Sequence, residues 1–176
     1  TVFHKQDFAL YLQKNGIILN EHQQKQFELY AALLTEWNQK MNLTAIKEED
    51  AVYEKHFLDS IYPLIDIPLQ GKLCDVGAGA GFPSLPMKIV QPDLEVTIVE
   101  PLGKRITFLT HLCAELSLDV KLVNARAEDY AKQKRESFDI VTARAVANLP
   151  MLSELCIPLV KKQGLFLAMK GAEGYH

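Results

Sequence analysis

A glycine-rich turn between a short apolar run and an amphipathic segment constrains the fold of this chain more than any other feature. The run from Lys72 to Val76 reads as a buried strand, and Gly77-Ala78-Gly79-Ala80-Gly81 follows it directly. Further strand-like runs then alternate with apolar residues at helical spacing, which is typical of βαβ units. We therefore predict an α/β fold of the Rossmann-like class, with a mostly parallel sheet flanked by helices.

The boundaries of the other elements follow from the same alternation. Short β-rich runs predict strands, and apolar residues three or four positions apart predict helices between them. The further predicted strands are Glu95 to Glu100, Val120 to Asn124, Phe138 to Ala143 and Leu165 to Lys170, and the intervening helices lie around Leu85 to Gln91, Ile106 to Leu116 and Leu149 to Leu159.

The first third of the chain has a helical pattern instead. Phe27, Tyr30, Leu34 and Trp37 share one helix face, while Gly16 ends a shorter helix over Phe8 to Lys14. A third helix is predicted from Glu48 to about Ile61, stopping near Pro63. We expect two units, an N-terminal helical cap over residues 1–66 and a Rossmann-like domain over residues 67–176, with a boundary near Pro68 and Gly71.

Composition excludes several classes of protein. No apolar run approaches the roughly 18 residues that span a bilayer, and three well-separated cysteines, Cys74, Cys113 and Cys156, fit neither a disulfide framework nor a metal site. A net charge of -3 argues against a basic surface over the whole protein, so any nucleic acid must bind a local patch. We expect a cytoplasmic monomer without membrane or metal partners.

The glycine spacing bears on the ligand. A dinucleotide fingerprint, G-x-G-x-x-G, would need its third glycine at Phe82, and Pro83 restricts Phe82 to extended conformations. This disfavours a pyrophosphate and favours S-adenosylmethionine, which carries no phosphate. Asp75 is then a candidate for holding the cationic part of that ligand. An NAD-binding oxidoreductase and a purely structural turn are the alternatives.

Two further segments are candidates for nucleoside contacts. Glu100 ends the next strand, about twenty residues on, where a carboxylate can accept hydrogen bonds from ribose hydroxyls. Arg126-Ala127-Glu128 follows the third strand, where a backbone amide and a carboxylate could recognise the adenine edge. The alternative for Glu128 is a helix cap or a solvated side chain.

The segment after the fourth strand bears on the methylated atom. Between Asp139 and Val146 there is neither an Asn/Asp-Pro-Pro-aromatic signature nor a cysteine, which disfavours exocyclic-amine and cytosine-C5 methylation. Guanine N7 has a free lone pair and needs no general base. Arg144 could orient such a base through its planar fork. The alternative is an ion pair with Glu100 or Glu128.

Seven short motifs, in order from about Trp37 to Gly171, resemble the glucose-inhibited division protein B family, which implies a class I methyltransferase of guanine N7 in bacterial small-subunit ribosomal RNA. They are Asn42-Leu43-Thr44, His56-Phe57-Leu58-Asp59-Ser60, the run from Asp75 to Pro83, Lys104-Arg105 before Phe108-Leu109, Arg126-Ala127-Glu128, the run from Thr142 to Val146, and Lys170-Gly171.

The resemblance also implies site residues. Contacts to the donor are implied for Gly77, Phe82, Ala127, Glu128 and Arg144, to which the loop and ribose arguments add Gly79 and Glu100. Asn42, His56 and Asp59 resemble the family's polar residues between cap and donor site. Two departures stand out: Ser84 replaces the family's glycine, and two further strands expected for this class do not appear before His176, which we expect to reflect missing C-terminal residues.

RNA contacts are predicted at a short basic run, Lys132, Lys134 and Arg135, with Arg126 nearby; the alternative is a solvated face. The expected partner is small-subunit ribosomal RNA or an assembling small subunit. Reaching N7 in structured RNA needs a splayed-out base, because the A-form major groove is narrow and deep. Competing functions are methylation of a protein or small molecule and a non-catalytic role in ribosome assembly.

Overall fold

The computed structural model of the protein describes residues 2–144 and 149–169. Its strands are β1 Lys72–Val76, β2 Glu95–Val99, β3 Val120–Val123, β4 Phe138–Arg144 and β5 Val160–Met169. They form one parallel sheet in the order β3-β2-β1-β4-β5. The predicted α/β class is therefore confirmed, and β1 to β4 agree with the sequence prediction to within one residue at each end.

Helices precede the sheet and connect its strands. They are α1 Phe8–Lys14, α2 Glu21–Asn38, α3 Glu49–Val52, a π-helical segment Tyr53–Leu58, α4 Asp59–Asp66, α5 Ser84–Val90, α6 Gly103–Glu115, α7 Ala127–Gln133 and α8 Leu149–Cys156. No helix of the described residues is both long enough and apolar enough to cross a bilayer.

The centre of the sheet is buried on both faces. Leu73, Cys74 and Asp75 of β1 have no exposed surface, which explains why the strand sequences lack strict alternation. From β1 the chain builds outward through β2 to β3, then returns to place β4 on the other side of β1. Ligands of open parallel sheets bind in the crevice that this reversal leaves at the strand carboxyl ends.

Local signals define the first two helices. Gly16, with φ +88°, follows α1 as predicted. Asn20 caps α2 by accepting from the N–H of Gln23 at 2.8 Å, and Gln23 returns a bond to the Asn20 N–H at 2.8 Å. Phe27, Tyr30 and Leu34 are buried along one face of α2, so its amphipathic pattern directs it onto the rest of the protein.

The predicted helix end near Pro63 is wrong. The helix continues through Pro63 to Asp66. Proline removes one backbone donor and crowds the carbonyl four residues earlier. Here the turn before α4 is π-helical, so the regular hydrogen-bond ladder is already interrupted where proline would disturb it.

The predicted start of the fifth strand is also wrong, because β5 begins at Val160 rather than Leu165. The residues between them, Lys-Lys-Gln-Gly, resemble a turn. They form instead an irregularity in which Phe138 pairs with Val160 and Ile140 with Leu165, and Gln163 has φ +67°. Bulges of this kind leave residues unpaired within a strand. The predicted strand end at Lys170, Gly171 of the last motif, and Ala145 and Val146 lie outside the described residues.

Aromatic packing joins the N-terminal helices to the sheet domain. Phe57 is fully buried, and its ring centroid lies 4.9 Å from that of Tyr30 and 6.1 Å from that of Phe82. Phe8, Phe27 and Tyr53 pack around it as well. One hydrophobic cluster contains these residues together with Leu73 of β1. The division near residue 67 stays a prediction, and the core is continuous across it.

We predict that Phe57→Ala lowers the free energy of unfolding by about 3 to 5 kcal/mol, because it leaves a cavity among rings that cannot collapse fully. Chemical denaturation of the purified protein measures the change. Leu10→Ala is the matched control, since Leu10 is 52% exposed and should change stability by less than about 0.5 kcal/mol. Equal losses in the two variants would contradict the assigned core.

Asp75 is a fully buried carboxyl group at the centre of the sheet. Its Oδ2 accepts a hydrogen bond from the backbone N–H of Ser84 at 3.0 Å, at the start of α5. Burial raises the pKa of Asp75 to about 6, and the bond from Ser84 opposes that rise. The carboxyl therefore gains its negative charge at a higher pH in the folded chain than in the unfolded chain.

We predict that Asp75→Asn removes a pH dependence of stability. From about pH 4 to about pH 6 the unfolded carboxyl ionises while the folded one keeps its proton, so wild-type stability falls as pH rises. A two-unit difference corresponds to about 3 kcal/mol. Denaturant unfolding measures the free energy of unfolding at about pH 4 and pH 7. The difference between the Asn variant and wild type should shift in favour of the Asn variant by that amount between the two pH values. Asp93→Asn, at an exposed position, is the control, and parallel profiles for wild type and Asp75→Asn would refute the assignment.

Candidate active site

A cleft of about 600 Å³ opens at the carboxyl ends of β1 and β4. Its walls come from the loop after α2, the π-helical segment, the glycine loop, the start of α6 and the end of β4. The lining residues are 42–45, Lys47, His56, 77–80, Phe82, Arg105 and Arg144. Of the described lining residues, three are cationic and none is a carboxylate, a charge pattern that attracts anionic or electron-rich groups of an acceptor and gives no charge-based reason to bind a cationic donor.

The first two loop glycines leave open space at the cleft. Gly77 and Gly79 have φ +68° and +61°, values that residues with a Cβ rarely adopt. Counting the described part of the chain, a Cβ built at Gly77 would meet no atom within 4 Å, and one at Gly79 would meet only the Arg105 guanidinium, at 4.0 Å. The loop therefore offers exposed backbone that a ligand can approach closely, which fits the donor predicted from the sequence.

The third glycine, Gly81, is required for packing rather than for open space at the cleft. A Cβ at Gly81 would lie 2.5 Å from the Tyr30 hydroxyl oxygen. That hydroxyl donates to the backbone oxygen of Ala80 at 2.7 Å. Gly81 therefore permits α2 to pack directly on the loop, a role that the sequence pattern did not reveal.

Glu100 faces the glycine loop, as its position in the sequence predicts. It is 1% exposed; its Oε1 accepts from the Gly79 N–H at 3.2 Å and its Oε2 from the Leu102 N–H at 2.9 Å. Arg105 lies 3.8 Å from Oε1. A carboxylate has about four acceptor positions, but Glu100 lies behind the loop and does not line the cleft, so its contact with ribose hydroxyls stays a prediction.

His56, Phe82 and Arg144 meet at the inner wall of the cleft. The His56 ring stacks on Phe82 with centroids 4.4 Å apart and planes 6° from parallel. The Arg144 guanidinium carbon lies 5.2 Å from the Phe82 ring centroid, and its Nη2 lies 3.3 Å from His56 Nδ1. Burial lowers the pKa of His56 to about 3, and the Arg144 charge adds to the effect, so the imidazole is neutral near pH 7.

The other two polar residues implied by the resemblance differ in position. Asn42 is exposed and lines the cleft. Asp59 is half-buried on α4 and does not line it. Burial and the nearby Glu54 raise the pKa of Asp59 to about 6, while Arg144 acts in the opposite direction. Asp59 therefore interacts electrostatically with Arg144 without lining the cleft.

Several predicted donor contacts lie beside the cleft rather than on its walls. Asp75 is buried beneath the glycine loop, so it supports the loop and is not presented to a ligand. Ala127 begins α7 and is buried, whereas Glu128 is exposed, 4.0 Å from Arg126. Adenine recognition by Ala127 and Glu128 stays a prediction.

The structure separates the predicted basic run from the cleft. Lys132, Lys134 and Arg135 are exposed at the end of α7, and Lys134 adjoins Lys72 and Glu95, the first residues of β1 and β2. They therefore lie near the amino edge of the sheet, about 16 Å along a five-residue strand from the glycine loop. Arg126, in contrast, lies at the carboxyl edge, where β3 leads into α7.

Sequence reasoning missed four residues of the site. Lys47 and Arg105 line the cleft, Thr44 contacts His56, and Asn38 holds Thr44. Thr44 and Arg105 belong to motifs that carry the resemblance, so a signal existed without a role. Within residues 2–144 and 149–169, no three His, Cys, Asp or Glu side chains are grouped closely enough to hold a metal ion.

Solved structures with a similar fold include a putative caffeoyl-CoA O-methyltransferase from Staphylococcus aureus. It has a TM-score of 0.57 and 20% identity, covering 77% of this chain and 64% of that one. Precorrin-6y C5,15-methyltransferase from Geobacter metallireducens has a TM-score of 0.52 and 19% identity, covering 72% and 62%. At these identities the similarity establishes the fold alone, a Rossmann-like parallel sheet flanked by helices.

Sequence relatives are more specific. Ribosomal RNA small subunit methyltransferase G of Macrococcus caseolyticus is 57% identical over 171 residues, which are 95% of this chain and 72% of that protein. The protein of the same name from Oceanobacillus iheyensis is 54% identical over 173 residues, or 96% and 73%. The family model described as rRNA small subunit methyltransferase G (GidB) matches residues 23–175. With the glycine loop, Glu100 and Arg144 in the positions described, the chain belongs to the rRNA small subunit methyltransferase G family.

Proposed function

We propose that this chain transfers a methyl group from S-adenosylmethionine to N7 of a guanine in small-subunit ribosomal RNA. The family assignment supports the reaction class and the RNA substrate. The cleft supports the choice of atom. Methylation of a protein or small molecule with the same donor, and a non-catalytic role in ribosome assembly, are the competing functions.

The described residues fit the methyl donor. Gly77 and Gly79 would receive it against open backbone, and Glu100 would accept hydrogen bonds from ribose hydroxyls. S-adenosylmethionine would supply a methyl group on a positively charged sulfur, electrophilic enough to react with a nitrogen lone pair. The loop lacks the G-x-G-x-x-G spacing that binds the pyrophosphate of a dinucleotide, so it suits S-adenosylmethionine better.

The observation that carries the choice of guanine N7 is the absence of a free general base among the described residues of the cleft wall. Within residues 2–144 and 149–169, no carboxylate or thiol lines it. Cys74, Cys113 and Cys156 are buried, and burial raises the pKa of each thiol. His56 is neutral, and both its ring nitrogens have partners. A ring nitrogen with a free lone pair reacts without losing a proton, so orientation is sufficient.

Arg144 is the residue we assign to orienting the base. Its guanidinium lies at the cleft, over Phe82. A planar donor fork can bond guanine O6 and leave the N7 lone pair directed toward the methyl group. Fixing two reactants in line can lower the activation free energy by about 7 to 11 kcal/mol.

The RNA backbone is proposed to cross the rim of the cleft rather than the run from Lys132 to Arg135. Lys47 and Arg105 line the rim beside Arg144, and Arg126 is exposed at the same edge of the sheet. A base splayed into the cleft from structured RNA would place its flanking phosphates near these cations. A cytoplasmic location and a monomeric state remain predictions that fit such a substrate.

We predict that the wild-type protein transfers label from S-adenosylmethionine to ribosomal RNA that lacks the modification, and that nucleoside analysis finds the label on guanine N7. Arg144→Ala should lower the rate by about a hundredfold, because the base is no longer oriented, and circular dichroism should show that the fold is retained. Arg135→Ala, at the opposite edge, is the control. Label found at another atom would contradict the N7 assignment, label that resists ribonuclease would favour a protein or small-molecule acceptor, and no label at all would favour the assembly role.

We also predict that Lys47→Ala reduces the salt dependence of RNA binding. Removing one phosphate contact should reduce the magnitude of the slope of log K against log salt by about 0.7 for single-stranded RNA. Lys134→Ala is the matched control, since it removes one exposed lysine from the amino edge. Filter binding over a range of salt concentrations measures both slopes, and a larger change for Lys134→Ala would place the RNA at the amino edge.

A further inference from the structure

The loop after α2 is fixed in place by Asn38. The Asn38 Oδ1 accepts from the N–H groups of Leu43 at 2.8 Å and Thr44 at 3.0 Å, and its Nδ2 donates to the Thr44 carbonyl at 3.0 Å. Three hydrogen bonds to one amide side chain hold the backbone of Thr44 against the end of α2. The position of the Thr44 side chain is therefore set by α2.

The Thr44 hydroxyl reaches the buried imidazole of His56. Its Oγ1 lies 2.7 Å from His56 Nε2 and accepts from the Ile46 N–H at 3.1 Å. Thr44 is 8% exposed and His56 has no exposed surface. At this depth water does not readily replace a lost partner, so a polar group left unpaired there is costly.

The position of the imidazole proton follows from the Arg144 contact. A guanidinium only donates hydrogen bonds, so His56 Nδ1, 3.3 Å from Arg144 Nη2, must accept. A neutral imidazole carries one proton, which is then on Nε2 and points at Thr44 Oγ1. The threonine hydroxyl, the histidine and the arginine thus form a chain in which each bond fixes the direction of the next.

We propose that Thr44 is a positioning residue for methyl transfer: its hydroxyl accepts the Nε2 proton of His56 that the Arg144 contact requires, so that Nδ1 stays free of a proton and holds the Arg144 guanidinium over Phe82 at the cleft. The inference rests on the proposed function. Without the hydroxyl, the buried Nε2–H would lose its acceptor on Thr44, and moving the proton to Nδ1 would direct an N–H of His56 at an N–H of Arg144. The guanidinium would then lose its acceptor on His56, and the base it orients would be less well aligned.

The matched variants are Thr44→Val, which keeps the shape and removes the hydroxyl, and Thr44→Ser, which keeps the hydroxyl. Thr44→Val should lower kcat about tenfold, the effect of losing one aligned hydrogen bond, while KM for the donor changes less than about twofold. Thr44→Ser should retain kcat close to wild type. Melting temperatures confirm that each variant is folded. Wild-type kcat in Thr44→Val, or an equal loss in Thr44→Ser, would overturn the inference.

A second measurement needs neither RNA nor donor. Nitrogen NMR of imidazole-labelled protein near pH 7 should show His56 neutral, protonated at Nε2 and unprotonated at Nδ1, and Thr44→Val should lose this pattern. A wild-type Nδ1–H tautomer would overturn the inference even if methyl transfer is confirmed. If the wild type does not methylate RNA, the proposed function fails separately, and the tautomer still decides whether Thr44 orders His56.

Discussion

Contacts of the Phe82 ring connect the three parts of the protein that the site requires. The ring stacks on Tyr30 of α2 with centroids 5.4 Å apart and on His56 of the π-helical segment at 4.4 Å, and the Arg144 guanidinium of β4 lies 5.2 Å away. Phe82 itself ends the glycine loop. Offset stacking of aromatic rings and the attraction of a guanidinium to a ring face are each modest, yet here they act on one buried side chain. Helices, donor loop and sheet edge are consequently held in one arrangement.

The glycine loop exposes backbone that a ligand can approach, and the carboxyl groups behind it hold that backbone in place. Gly77 and Gly79 present backbone to open space, while Glu100 sits behind them and fixes the loop through the Gly79 N–H. Asp75 lies deeper still and bonds the start of α5. Glu100 and Asp75 are similarly buried but bond different backbone groups. Glu100 holds the glycine loop, whereas Asp75 holds the start of α5. The cleft itself is left with cationic and neutral polar groups.

The features that the sequence predicted correctly are those with a local, periodic signal. Strands β1 to β4 and the facing of Glu100 toward the loop followed from local periodicity and strand connectivity, which are encoded within about thirty residues. The bulge near Gln163 and the passage of the helix through Pro63 did not, because the same residues also form turns and helix ends. Thr44 and Asn38 were missed because their hydrogen bonds lie in an irregular loop and its flanks, where no periodic pattern marks which side chains meet. RNA contacts at Lys132 to Arg135 stay a prediction, and a run of charges does not state which edge of the sheet it occupies.

The close approach of Tyr30 to Gly81 has a consequence for how variants of the loop would be interpreted. Position 81 and the Tyr30 hydroxyl compete for the same volume, and that hydroxyl also bonds Ala80. A larger residue at 81 would push α2 outward and shift residues 77–80 with it. In a ligand-binding assay this would register as lost affinity, although no atom of residue 81 had touched the ligand. A smaller side chain at position 30 would not compensate, because a Cβ at position 81 would also lie 2.6 Å from Leu85 Cδ1 on a backbone with φ +103°.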